Sequence, residues 1–139
     1  EYDETLKTLI EAVVTSESPV LDTTLVQRIA RIHGFTRAGR LIRERVIGIV
    51  DQYYYLAADH LGENFVWLSV TQRADWNTFR LPATDNDIRQ VDAIPREELR
   101  ALALSIESDN KIQEMTRSLG IKRLTSQAKK RIESVLDVV

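Results

Sequence analysis

The sequence predicts a mainly α-helical chain with a small antiparallel β-hairpin: a winged helix-turn-helix, followed by a second trihelical, helix-turn-helix-like unit that repeats part of the first. Three observations lead to this reading. The stretches "HGFTRAGRLIRERV" (33–46) and "LGIKRLTSQAKKRI" (119–132) share one design, 86 residues apart. Each is preceded by a further stretch of helical apolar periodicity. Between them lie two apolar, aromatic and β-branched runs, "YYYLAA" from Tyr53 and "FVWLSV" from Phe65.

In chain order, Leu6, Leu9, Ile10 and Val13 recur at helical spacing and predict a helix from Asp3 to Thr15. A short strand is expected around Pro19–Leu21. Leu25, Val26, Ile29 and Ile32 line one face of a second helix, which Gly34 ends because glycine enters the left-handed region without steric cost. His33, at that helix end, favours the negative pole when protonated. Ile42, Val46, Ile49 and Val50 then give a stripe at i, i+4, i+7 and i+8, a helix from Arg40 to Asp51 capped by Gly39. The two aromatic runs, joined by "DHLGEN" with Gly62 and Asn64 as turn residues, form the hairpin. Alternation puts Tyr53 and Tyr55 on one side and Tyr54 and Leu56 on the other, so one side is core, and Trp67 is expected there too.

"RADWNTFRLPATDNDIRQVDAIP" reads as an irregular linker, acidic in its second half, with Trp76 as a loop anchor and a third strand at Phe79–Leu81. The domain limits expected are 1–84 for the winged-helix unit, 85–94 for the acidic linker and 95–139 for the second unit, with packing of both as one domain on a shared core as the alternative. In the latter, Leu99, Leu102, Ala103 and Ile106 mark a helix from Pro95 to Glu107, with Pro95, Glu97 and Glu98 suited to its start. Without any gap, Gln27, Arg31, Gly34, Arg37, Arg45 and Asp51 then meet Gln113, Arg117, Gly120, Arg123, Arg131 and Asp137. Ala128, Ile132, Val135 and Leu136 repeat the second apolar stripe, and Thr125 stands at the cap position of Gly39.

Composition excludes several classes of function. With 43% hydrophobic and 29% charged residues in 139, the chain is an ordinary globular one, and no apolar run suffices for a membrane span. It starts at Glu1 without a signal peptide, so it is expected to be a piece of a longer protein. No cysteine is present, which removes disulfides and thiolate metal sites and fits a cytoplasmic location. His33 and His60 are the only histidines, so no metal site is expected. The glycines at 34, 39, 48, 62 and 120 build neither a nucleophile elbow nor a phosphate loop. No catalytic residue, cofactor or enzymatic activity is therefore expected.

The charge distribution points to an anionic partner. Overall net charge is −2, yet residues 20–51 and 109–139 each carry +3, leaving −8 elsewhere. The candidate DNA-backbone contacts are Arg37, Arg40, Arg43, Lys122, Arg123, Lys129 and Lys130, with Ser126 and Gln127 on the same exposed helix face. The first helix pair is the poorer reader of DNA. Its exposed face carries Glu44, which repels phosphate, and Leu41 and Ile47, which suit protein packing. The alternative is thus a module for protein docking or homodimer formation. Arg45 and Arg131, at the edges of the apolar stripes, are expected to pair with acidic residues of neighbouring helices. Tyr53, Tyr54, Tyr55 and Trp67 raise base stacking as a further use.

"RIARIHGFTRAGRLIRERV", the hairpin with Trp67, "VDAIPREEL" and "LGIKRLTSQAKKRIESVL" resemble the uncharacterised C-terminal domain of large bacterial DNA helicase-related proteins, over roughly Leu6–Val135. There the domain follows a superfamily-1 helicase region and a restriction-endonuclease-like segment. The resemblance implies a role in DNA metabolism beside helicase and nuclease domains of the same parent chain, and a place in defence against foreign DNA. It supplies no catalytic residues.

Overall fold

Leu6, Ile10 and Val14 form one buried stripe of α1 (Tyr2–Glu17) in the computed structural model, which describes residues 2–32, 34, 39–59 and 61–136. Facing them are Leu25, Val26 and Ile29 of α2 (Asp22–Ile32) and Ile42, Val46 and Val50 of α3 (Arg40–Tyr53). These three helices share one core. Three short strands border it, namely β1 (Val20–Leu21), β2 (Tyr55–Ala58) and β3 (Asn64–Trp67), in the order β1-β3-β2. Both pairings are antiparallel, with Val20 opposite Val66 and Tyr55 opposite Trp67. Phe65, Val66 and Trp67 are all buried, so the central strand has apolar cover on both faces. At the hairpin turn Asp59 Oδ1 accepts the N–H groups of Leu61 and Glu63 at 3.0 and 3.1 Å, and Gly62 takes φ +91°.

The fold is mainly helical with a small open three-stranded antiparallel sheet, as the sequence predicts. Its details differ in four places. "YYYLAA" is not one strand: α3 runs on through Tyr53, Tyr54 is its C-cap with its N–H on Val50 O, and only Tyr55 starts β2. The third residue of "FVWLSV" is likewise the last of β3. Beyond it Ser69 Oγ accepts the Gln72 N–H at 3.1 Å, starting a short helix α4 (Val70–Asp75) where a linker was expected. Phe79–Leu81 is no strand; Phe79 packs on the second core instead. Finally, the chain divides into compact units Glu1–Asp75 and Trp76–Val139, and the 85–94 stretch lies inside the second.

The second unit has its own core. Leu99, Leu102 and Ala103 of α5 (Arg96–Ser105), Met115 of α6 (Lys111–Ser118) and Ile132 and Val135 of α7 (Ser126–Leu136) are buried with Val91 and Ile94. Val91 belongs to a 3-10 turn, Val91–Ala93, that follows another at Asp85–Asp87. Pro95 stands at the N-cap of α5, just outside the helix. At the other end Lys111 Nζ donates to Ala103 O and Ile106 O, both at 2.6 Å, meeting carbonyls that α5 leaves over.

The 86-residue spacing is kept in the helix limits: α2 ends at Ile32 and α6 at Ser118, and α3 starts at Arg40 and α7 at Ser126. Gly34 and Gly120 both have positive φ, +85° and +74°, and each donates its N–H to the carbonyl three residues back, on Arg31 and Arg117. Their surroundings differ. A Cβ on Gly120 would stand 3.0 Å from Ile88 Cδ1, whereas one on Gly34 meets none of the described residues within 4 Å. Both alanine variants carry the left-handed penalty of about 1–2 kcal/mol, and Gly120→Ala should lose more because Ile88 must shift. Equal losses in urea unfolding would contradict that packing. Among the described residues no helix is long and apolar enough to cross a membrane.

Candidate nucleic-acid interface

α7 starts unlike α5 and α6, the other two helices of its unit. Asp3 and Glu4 stand in the first turn of α1, Asp22 in that of α2, Glu97 and Glu98 in that of α5 and Glu114 in that of α6. Acids there complement the partial positive charge of exposed N–H groups. The first turn of α7 has none, as is also true of α3 and of the short α4. The turn before it carries Lys122 and Arg123 and the helix continues with Lys129 and Lys130, all four exposed. None of them makes an ion pair with a carboxylate among the described residues. Thr125 caps the helix, its Oγ1 accepting the Ala128 N–H at 3.1 Å. Ser126 and Gln127, on the first turn, are exposed between the two pairs of cations. Glu133 is the first carboxylate along α7. Four positive charges crowd the positive end of a helix dipole, which disfavours the isolated unit and favours an anion bound there.

The corresponding surface of α3 is neutralised internally. Arg40 Nε lies 4.0 Å from Glu44, Arg43 Nη2 donates to Asp22 Oδ2 at 3.2 Å, and Arg45 Nη1 reaches Asp3 at 3.2 Å. Asp22 is itself buried, so the Arg43 pair closes a gap between α2 and α3. Arg40 and Arg43 therefore differ from the cations of α7, with which the sequence grouped them. Arg37 and His33 lie outside the described residues. Leu41 is 70% exposed, but Ile47 is half-buried against the first core, so the two do not form one open apolar face.

Arg45 pairs with an acid of a neighbouring helix, as expected, whereas Arg131 reaches main-chain carbonyls. It is 3% exposed and gives its Nε to Val91 O at 3.1 Å and its Nη2 to Ile94 O at 2.8 Å, holding the 3-10 turn against α7. The aromatic residues are mostly engaged. Trp67 is buried, Tyr55 accepts a hydrogen bond from Arg73 at 3.3 Å, and Trp76 donates its Nε1–H to Thr78 O at 2.8 Å beneath the Arg80 guanidinium.

A cluster that the sequence did not bring together braces the second unit. Glu98, 1% exposed, accepts from the Arg80 backbone N–H at 2.8 Å, from Arg80 Nη2 at 2.8 Å and from Arg89 Nη2 at 2.6 Å. Arg89 also donates to Arg80 O at 2.9 Å. Burial by itself raises the carboxyl pKa, but the hydrogen bonds from Arg89 and Arg80 outweigh it and hold Glu98 below the ordinary carboxylate range. Among the described residues no three His, Cys, Asp or Glu side chains gather where a metal ion would sit.

Compared with known families, the chain is similar over residues 1–44 to one described as "Protein of unknown function (DUF3320)". No curated protein and no solved structure matches.

Proposed function

We propose that the chain is a non-catalytic nucleic-acid-binding accessory domain that holds the DNA backbone through Lys122, Arg123, Lys129 and Lys130, with Ser126 and Gln127 close to the same surface. The observation that carries this reading is the set of four exposed cations, without carboxylate partners, around the start of α7. Charges so placed gain most when they displace counterions from a polyanion. Two helices joined by a glycine bend, α6 and α7, fit a helix-turn-helix, and α1–α3 with the three-stranded sheet fit a winged helix. The positive φ of both Gly34 and Gly120 and the 86-residue spacing of the helix limits support reading the two units as copies. The work of the domain is to keep duplex at hand for helicase or nuclease domains of a longer parent chain in the cytoplasm; the resemblance to helicase-related proteins supports this.

The test is a titration of fluorescein-labelled duplex. Four phosphate contacts give a log–log salt slope of about −3.6, so affinity should fall roughly a hundredfold between about 50 and 200 mM salt. Lys122→Glu combined with Lys130→Glu should weaken binding at least about tenfold at low salt. Absence of binding at low salt overturns the reading and leaves the docking or homodimer alternative, which rests on exposed Leu41.

A further inference from the structure

We infer that the α7 surface takes double-stranded rather than single-stranded nucleic acid, and that the cations of α3 add little to the contact. This rests on the nucleic-acid reading above and adds the class of ligand and the place of binding. Single-strand binders combine a cationic track with aromatic side chains on which bases stack, each stacked base adding about 1–3 kcal/mol. The second unit has two aromatic residues, Trp76 and Phe79. Trp76 has the Arg80 guanidinium over its ring, 5.8 Å from the centroid, and Phe79 packs on the core. No aromatic residue stands in the turn before α7 or on α7 itself, from Leu119 to Leu136. The surface there offers ammonium and guanidinium groups, a hydroxyl and an amide.

Counterion release is then the main driving force, and it favours the duplex. Each phosphate contact contributes about 0.9 to the salt slope on B-DNA and about 0.7 on single strands. Counted from equal affinity at about 1 M salt, that difference over four contacts amounts to about tenfold at ~50 mM salt. Among the described residues α3 adds little to it, because each of its Arg40, Arg43 and Arg45 already faces a carboxylate. Among the described side chains of the first unit Tyr53 is the exposed aromatic one, half exposed and covered by Lys7, whose Nζ lies 5.0 Å from the ring centroid.

The experiment compares a labelled duplex of about 20 base pairs with an unstructured oligothymidine of equal length, using the whole chain and four variants. Expected are duplex affinity about tenfold above single-strand affinity at ~50 mM salt, loss of at least tenfold for Lys122→Glu and for Lys130→Glu, and change within twofold for Arg40→Glu and Tyr53→Ala. Equal or tighter binding of oligothymidine overturns the duplex assignment while leaving nucleic-acid binding in place, as does loss of its binding in Tyr53→Ala. A loss in Arg40→Glu matching that in Lys130→Glu overturns the assignment to α7 over α3. No binding of either ligand at low salt overturns both this inference and the reading beneath it. All four substitutions lie on exposed positions, so the folded state persists, as far-ultraviolet circular dichroism of each variant checks.

Discussion

Replacing Glu98 by alanine is expected to destabilise the protein by about 2–4 kcal/mol, measured as a shift of the urea midpoint. Removal of one partner from a fully enclosed ion pair costs about 3–5 kcal/mol, because the other charge stays behind without compensation. Here Arg80 and Arg89 keep 38% and 27% of their side chains in solvent, which lowers the cost. Against that, the Arg80 backbone N–H loses its acceptor at 2.8 Å. A shift worth less than about 1 kcal/mol would show that the cluster braces nothing. The pH dependence has a definite sign. The folded-state pKa of Glu98 lies below its ordinary value of 4.5, so its contribution is complete above that value and is lost as pH falls through the folded pKa. Glu98→Gln should remove this share of the acid sensitivity while the wild type keeps it.

The second large effect separates two arginines that the sequence aligns. Arg131→Ala should cost about 3–5 kcal/mol, since the carbonyls of Val91 and Ile94 lose their donors in a buried place and a long side chain leaves a void. Arg45→Ala should cost no more than about 1 kcal/mol, because its partner Asp3 is as well hydrated as Arg45 itself. Similar losses for the two variants, read from chemical unfolding, would contradict the difference in burial.

Much of the helical framework was legible in the sequence, because burial imposes a period. The stripes Ile42–Val46–Ile49–Val50 and Ile132–Val135 became core, and Thr125 became a cap through its own side chain. The partners of the arginines were not legible. Asp22 and Arg43 are 21 residues apart, and Asp3 and Arg45 are 42 apart, so nothing local announces either pair. The same holds for Glu98, whose counter-charges lie 18 and 9 residues earlier in a stretch that looked like linker. The start of α4, by contrast, has a local signal. Ser69 followed three residues later by Gln72 is a helix-start pattern, and it opens α4, although the Gln72 side chain accepts from Leu68 rather than from Ser69. Of the candidate contacts, those around α7 kept their charge free and those of α3 did not, a distinction that depends on carboxylates brought in by other helices.

Glu98 takes its counter-charges from residues 80 and 89, so the 76–94 stretch is a fixture of the helices that follow it. The natural seam of the chain is consequently after Asp75. Severing it at the acidic run would strand a buried anion with only half its escort, whereas parting it at the seam leaves each portion with its own oily interior and its own ionic clasps.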